Sequence, residues 1–382
     1  MEGYAIDKKL ISNFDFWIVI LIITISLFGM LGIGIAMRSP MEGNESIGEI
    51  IGNLNLRYVK FQALWVAVGL VVLVIMASID FNNYKTLIPY AYVAVILLLL
   101  YVSKWGRVAG NARRAMEIGP VSIQPSEFAK LIIIVITAKA LEKKENLRSF
   151  KSMFLVLAQI LPILILTIKQ PDMGTTLVYI IIIAGMLFIG GLDYRFIFSL
   201  IGAGIVSIPI AWKFIFSDTQ KKRVLVLLNP ELEPLGDAYN VIQSMTAIGS
   251  GRLYGKGVLT GNTLSQLNFL PAKHTDFIFS VTVETLGFIG GAIIILLYML
   301  LILRTVAISN RAEDRFGSLI VIGVATMMFF HIFENIGMTM GIMPVTGIPL
   351  PFMSYGGSSM LTNMAAYGMV ISVAMRRHKI RF

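Results

Sequence analysis

Residues 270–303 read LPAKHTDFIFSVTVETLGFIGGAIIILLYMLLIL, and a change of character inside them decides the fold. Lys273, His274, Thr275 and Asp276 stand in succession, and from Phe277 to Leu303 the stretch turns apolar. A run of that length exceeds the ~20 residues that cross ~30 Å of hydrocarbon, so it reads as a membrane span with a polar threshold.

The rest of the chain repeats the pattern. Apolar runs recur at 15–36, 59–79, 87–103, 127–142, 153–168, 175–191, 195–216, 316–340 and 355–375. Composition agrees: 56% of the 382 residues are hydrophobic and only 14% charged, with a mean hydropathy of +0.79, far from the quarter-charged make-up of soluble domains. The expected fold is an all-α polytopic membrane protein of about ten transmembrane helices, a single domain over 1–382. The first span follows Lys8 and Lys9 and is too long for a signal-peptide core, so it reads as a retained anchor. The absence of cysteine excludes disulfides, thiol catalysis and thiolate metal sites.

With ten spans both termini share one side. Its short loops hold Lys139, Lys143, Lys144, Arg148 and Lys151, then Arg304, Arg311 and Arg315, then Arg376, Arg377, Lys379 and Arg381, which the positive-inside rule makes cytoplasmic. The segments 37–58, 104–126, 169–174, 217–275 and 341–354 then face outward, and they hold most of the unusual polar, proline and glycine sequence. The external loop 217–275 is too long for a simple connection. The spacing of Val241, Met245, Ile248, Leu253 and Leu259 predicts short amphipathic helices there, lying at the membrane interface.

Four constellations carry chemistry. In GPVSIQPSEFAK (119–130), Gln124, Pro125 and Ser126 open a helix that sets Glu127 and Lys130 on one face, a natural buried ion pair, structural or catalytic. In KQPDMGTT (169–176), Asp172 sits before a span, where a helix-capping role competes with a functional one. In GIMPVTGIPLPFMSYGGSS (341–359), three prolines forbid a regular helix, and irregular backbone at membrane depth survives only against protein or a watery cavity. Ser354, Tyr355 and Ser358 offer hydroxyls there, while Gly356 and Gly357 allow close approach, either to a ligand or in helix packing. In the opening stretch Thr275 and Asp276 are both good N-caps, and Asp276 is equally a candidate general base or cation ligand.

His274 has no metal-ligand spacing to His331 or His378, which argues against zinc. Lys221, Lys222, Arg223, Arg252, Lys256 and Lys273 crowd the long outer loop; with Arg113 and Arg114 they form either a solvated basic surface or a seat for a diphosphate. No P-loop, dinucleotide fingerprint or nucleic-acid motif occurs, so neither an organic cofactor nor nucleic acid is expected.

QPSEFAK (124–130), QPDMGTTLV (170–178), NPELEPLGDAYNVIQSMTAIGSG (229–251), LSQLNFLPAKHTDFIFS (264–280) and NIGMTMGIMPVTGIPLPFMSYGGSS (335–359), in that order, resemble the SEDS family of shape, elongation, division and sporulation proteins, and within it the rod-shape branch. The chain departs from the family where Ala115 and Met116 follow Arg114, since members often carry Trp after that arginine. The resemblance implies a ten-span glycosyltransferase that polymerises lipid II into glycan strands at the outer face of a bacterial cytoplasmic membrane. An acceptor sugar hydroxyl would attack the donor's anomeric carbon with inversion, displacing undecaprenyl diphosphate. Asp276 would be the base or the ligand of Mg²⁺ or Mn²⁺. Glu127 and Lys130 would shape the site, and His274, Thr275, Lys273, Arg113, Arg114, Gln124, Ser126, Asp172, Ser354, Tyr355, Gly356, Gly357 and Ser358 would meet substrate. The division and sporulation relatives, FtsW and SpoVE, share that chemistry. A lipid II flippase is the rival reading, but it would be expected to show polar groups on both sides and repeat symmetry. A non-catalytic scaffold is a third. No Ser-x-x-Lys motif for crosslinking occurs, so a class B penicillin-binding protein is the expected partner, beside other elongation-complex membrane proteins.

Overall fold

The computed structural model describes residues 13–38, 56–109, 112–119, 121–143, 150–191, 194–214, 216–228, 236–258, 263–267 and 269–376. Ten of its helices fall on the ten apolar runs: α1 (Phe16–Ala36), α2 (Leu56–Ser78), α3 (Tyr84–Trp105), α4 (Pro125–Leu141), α5 (Phe150–Lys169), α6 (Met173–Ile189), α7 (Tyr194–Phe214), α10 (Ile278–Ser309), α11 (Arg315–Thr339) and α12 (Gly357–Met375). Two shorter ones, α8 (Asp218–Leu228) and α9 (Asp237–Ser250), lie in the long loop. Among the described residues five segments, those containing α1, α2, α3, α10 and α11, are by length and composition long and apolar enough to cross a membrane. Helix α4 has only 17 residues and carries Glu127, Lys130 and Lys139, so it depends on its neighbours. Lys8, Lys9, Lys144, Arg148, Leu259, Arg377, Lys379 and Arg381 lie outside the described residues.

The packing is inside-out relative to a soluble protein. Large apolar side chains such as Trp17, Leu97, Phe198 and Phe288 are exposed on the flanks, whereas Gln62, Glu127, Lys130, His331, Glu334, Asn335 and Asn363 are buried among the helices. With lipid outside as apolar as leucine, close approach and polar contacts hold such helices together. Gly29 shows the first: a Cβ there would meet the Met353 carbonyl at 2.4 Å.

At one end, charges anchor the helix termini. Asp15 caps α1 and pairs with Arg304 at 2.7 Å, Arg376 pairs with Asp80 at 3.1 Å, and Arg315 donates to the last carbonyls of α4 (Leu141, 2.9 Å) and of α6 (Gly190, 2.5 Å). A guanidinium against two helix C-termini meets both orphan carbonyls and the negative ends of the dipoles.

At the other end the described residues between α3 and α4 form a small antiparallel meander, β1 (Arg107–Ala109), β2 (Ala112–Ile118) and β3 (Val121–Ile123), within the segment expected to face outward. In the long loop, α9 differs from expectation. Its apolar face lies on protein, with Val241 packed against Met338 and Val345, because α10 and α11 offer a complementary apolar wall. Leu253 falls in the turn beyond the helix.

Candidate active site

The proline-broken stretch 341–356 satisfies only part of its own backbone, and side chains from three helices supply more, among them Tyr298 of α10, which donates to Pro351 O at 2.6 Å. Asn335 of α11 donates to the carbonyls of Ile348 (2.8 Å) and Asp276 (2.9 Å). Gln62 of α2 donates to Ser354 O at 3.0 Å, Ser354 Oγ donates to Thr275 O at 2.6 Å, and Tyr355 N to His274 O at 2.9 Å. The threshold of α10 is thereby bolted to this stretch. The rings of Tyr58, His274 and Tyr355 gather on it, with centroids 5.2, 5.3 and 5.7 Å apart, all three half-buried. Burial and the neighbouring Lys273 lower the His274 pKa, which keeps the ring neutral.

Capping does not account for Asp276. Phe277 precedes α10 with no side-chain cap, and Thr275 Oγ1 turns back to Ala272 O at 3.2 Å. Burial raises the Asp276 pKa from its ordinary value, while the Thr275 hydroxyl and the charges of Arg223 and Arg114 pull the other way. Its Oδ2 lies against Gly347, where a Cβ would stand 3.5 Å away. Gly347 has φ +74°, a left-handed conformation that costs a side-chain-bearing residue roughly 1–2 kcal/mol.

Gly347 also lines a polar cavity of about 70 Å³ shared by Arg114, Gln124, Glu127, Lys130, Asp172 and His331. The buried Lys130 ammonium donates to Glu127 Oε2 at 2.7 Å and stands 3.0 Å from His331 Nε2. Asp172 caps α6 through Thr175 N but does more: its Oδ2 accepts from Thr175 Oγ1 (2.9 Å), Gln124 Nε2 (3.1 Å) and Ser126 Oγ (3.4 Å). Arg114 reaches from β2 to within 3.8 Å of Oδ1 and donates to Pro171 O at 2.7 Å.

The structure thus brings together Asp276, Thr275, His274, Ser354 and Tyr355, and across Gly347 adds Glu127, Lys130, Gln124, Ser126, Asp172 and Arg114. Ser358 ties α12 to the meander, accepting from Gln124 N at 3.0 Å and donating to Ser122 O. Gly357 serves packing, since a Cβ there would meet Trp65 at 2.5 Å, whereas Gly356 is open. Arg113, on the opposite face of β2 from Arg114, is exposed and donates to Lys104 O. Lys273 is buried and donates to Ser265 O at 2.7 Å, Lys256 pairs with Glu284 at 2.7 Å, and Lys221 with Asp218 at 3.9 Å. Of the expected basic surface, Arg114 and Arg223 are the residues whose charge reaches Asp276.

Sequence reasoning missed His331, Glu334 and Tyr58. Glu334 accepts from Thr346 Oγ1, adjacent to Gly347, and its buried Oε2 has no partner. For His331 and Glu334 the signal was available, because ionisable residues inside a span are functional candidates by default. Tyr58 carried none.

A family model described as cell cycle protein, covering FtsW, RodA and SpoVE, matches residues 17–379. The chain is 42% identical to the peptidoglycan glycosyltransferase MrdB of Escherichia coli K12, over 82% of this chain and 84% of that one. Its fold is similar to the crystal structure of the rod shape determining protein RodA of Thermus thermophilus (TM-score 0.68, 27% identity, 96% and 98% of the two chains). It is also similar to a chain of a peptidoglycan synthase complex solved for the structural coordination of polymerization and crosslinking (TM-score 0.75, 28% identity, 94% and 97%).

Proposed function

We propose, from the premise that this chain belongs to the FtsW, RodA and SpoVE (SEDS) family and is a multi-pass, RodA/MrdB-type peptidoglycan glycosyltransferase, that it polymerises lipid II with Asp276 as the general base. The observation that carries the assignment is the partly buried Asp276 carboxylate, which caps no helix and lies beside Gly347, itself in the wall of the polar cavity.

The acceptor sugar's hydroxyl oxygen attacks the anomeric carbon of the donor. Its proton passes to Asp276, the bond from that carbon to the diphosphate oxygen breaks, and the electron pair leaves with undecaprenyl diphosphate. Diphosphate leaves without a second acid, so one carboxylate suffices where a glycosidase needs two. A base with a pKa nearer the working pH transfers the proton better, which burial of Asp276 favours. Arg114 and Arg223, whose charge reaches Asp276, are the nearby cations available to offset a departing diphosphate's charge. The faces of Tyr58, His274 and Tyr355 offer apolar surface to sugar rings.

A divalent cation fits this donor set in one specific way. Among the described residues no three His, Cys, Asp or Glu side chains converge as a metal cage. Mg²⁺, however, commonly takes one or two carboxylates and completes its shell with water and substrate phosphates. Asp276 and Glu334, which flank the Thr346–Gly347 pair, would supply two carboxylates, one with a spare buried oxygen, and holding the ion would then be the alternative to the base role for Asp276. When bound, Mg²⁺ or Mn²⁺ would neutralise diphosphate charge.

The site is placed at the outer face of the membrane, with both termini inside, on the strength of loop charge. This chain has no Ser-x-x-Lys motif, and the similar chain works in a complex that couples polymerization to crosslinking. A class B penicillin-binding transpeptidase is therefore the partner, alongside other elongation-complex membrane proteins. The deciding experiment is polymerisation of lipid II by the purified protein in complex with that partner, comparing wild type with Asp276→Asn. Near-normal turnover by the variant removes Asp276 from the chemistry.

A further inference from the structure

Eight residues into the span that follows Asp276 stands a second carboxylate, Glu284, with no exposed surface. Its Oε1 accepts from Lys256 Nζ (2.7 Å) and Leu264 N (2.8 Å), and its Oε2 from Ser265 Oγ (2.6 Å) and Ser265 N (3.2 Å). Every one of these donors belongs to the second half of the long loop. A buried carboxylate so fully hydrogen-bonded is a strong local restraint, because each lost donor exposes its desolvation cost.

The backbone beside it is equally committed. Helix α10 breaks at Gly287 (φ +71°, ψ −170°), and such a break orphans carbonyls before it and N–H groups after it. The loop supplies the missing partners. Lys256 N donates to Glu284 O (2.9 Å) and Gly257 N to Thr285 O (3.0 Å), while Arg252 O and Leu253 O accept from Phe288 N (2.8 Å) and Ile289 N (3.2 Å). Only glycine permits this approach: a Cβ on Gly255 would meet Thr285 O at 2.1 Å, and one on Gly287 would meet Gly255 N at 2.3 Å. Residues 252–257 therefore lie along α10 like an added strand, and Glu284 fastens the next stretch beside them.

From there the contacts run back to the base. Ser265, held by Glu284, accepts at its carbonyl from Lys273 Nζ (2.7 Å). Lys273 begins the sequence Lys-His-Thr-Asp, and the tight turn after it is closed by Thr275 N and Phe277 N on Ala272 O (3.1 and 3.3 Å). Asp276 is thus fixed from below by the first turns of α10 and from the side through Glu284, Ser265 and Lys273.

We propose that Glu284 is a positioning residue for the glycosyl-transfer step: through Ser265 and Lys273 it locks the long loop onto the break in α10 and holds the Asp276 segment at its working place. The inference rests on Asp276 being the base. It assigns Lys273 and Lys256 to this lock and not to substrate.

The test is carried out on the purified protein in complex with its transpeptidase partner, reading lipid II polymerisation kinetics and backbone hydrogen exchange by mass spectrometry. Glu284→Ala is expected to speed exchange at 263–277, including the Asp276 turn, and to lower kcat at least tenfold with KM within about twofold, since displacing a catalytic group by ~1 Å can cost up to ~100-fold. Lys273→Met, which cuts only the last link, is expected to loosen 271–277 and lower kcat while leaving exchange at 252–257 as in wild type. It also serves should Glu284→Ala fail to fold. If either variant leaves exchange at 271–277 and kcat unchanged, or if Lys273→Met raises KM alone, the proposal is overturned. Asp276→Asn, measured in parallel, separates the two levels: an active Asp276→Asn sinks the base assignment, whatever the exchange data show about the lock.

Discussion

The ammonium of Lys130 stands 3.0 Å from Nε2 of His331 and 2.7 Å from Oε2 of Glu127. The other ring nitrogen, Nδ1, is 2.6 Å from the Met327 carbonyl. A carbonyl can only accept, so Nδ1 carries the proton and Nε2 presents its lone pair to Lys130. Lys130 is consequently held between an anion and a neutral acceptor, inside the cavity that reaches Asp276 across Gly347.

That arrangement predicts an asymmetric response to charge removal. Lys130→Met leaves the Glu127 carboxylate buried without its cation and should cost about 3–5 kcal/mol, as breaking a buried pair does. Glu127→Gln together with Lys130→Met should cost less than Lys130→Met alone. Thermal unfolding of the purified variants in one detergent completes the cycle, and additive effects would show that the two charges do not act as a pair.

Asp172 looks like a helix cap in sequence, and the structure gives a way to tell what else it is. Asn is as good a cap as Asp, so a cap alone would tolerate Asp172→Asn. Here Oδ2 collects Gln124, Ser126 and Thr175 donors while Arg114 approaches Oδ1. An amide nitrogen in place of either oxygen faces donors it cannot accept from. Asp172→Asn is expected to destabilise by about 1–3 kcal/mol and to lower activity, measured by melting and by polymerisation. A neutral result would reduce Asp172 to its cap.

The absence of native cysteine makes orientation directly measurable. Lys143→Cys, beyond the end of α4, should resist an impermeant thiol reagent in intact cells, and Asp218→Cys, at the start of α8 with a fully accessible side chain, should react. The reverse pattern would turn the site to the cytoplasmic face and end the polymerase topology.

The spans were legible because hydrocarbon thickness dictates length: the ten apolar runs coincide with α1 to α7 and α10 to α12, with ends displaced by a few residues. Legible too were the groups that chemistry singles out in any apolar setting, Glu127, Lys130, Asp172 and Asp276. The break in α10 was not, because several glycines interrupt that run and nothing local says that Gly287 is the one to turn left-handed. Nor was the meander, whose outer strands of three residues each are too short to establish a period. Asp172 and Asp276 looked alike, each an aspartate before a span. Only the fold separates them, giving Asp172 a helix to cap and Asp276 none, with Gly347 beside its carboxylate instead.

Tyr58 tests whether the aromatic cluster meets sugar. Its ring touches His274 and Tyr355, so Tyr58→Phe, which keeps the face, should leave KM for lipid II within about twofold. Tyr58→Ala removes a contact surface worth roughly 0.5–1.5 kcal/mol beyond its area and should raise KM about tenfold with little change in kcat. Equal KM values for both variants would show that the ring only packs.

The pH profile separates Asp276 as base from Asp276 as bystander. A base works only when ionised, so kcat/KM must fall as pH drops through the pKa of Asp276 in the free enzyme. Burial raises that pKa above its ordinary value despite Thr275, Arg223 and Arg114, and the acid limb should therefore lie above the usual aspartate range. Removing a positive neighbour strengthens the shift: Arg223→Gln should move the limb to higher pH, because the ionised carboxylate loses a favourable charge. Asp276→Asn should lose about 10²- to 10⁴-fold in kcat, the usual contribution of a general base. The measurement is polymerisation rate against pH for wild type and Arg223→Gln at fixed Mg²⁺. An acid limb that stays where it is in Arg223→Gln belongs to some other group, and the base must then be sought among the carboxylates of the cavity, Glu127 and Asp172.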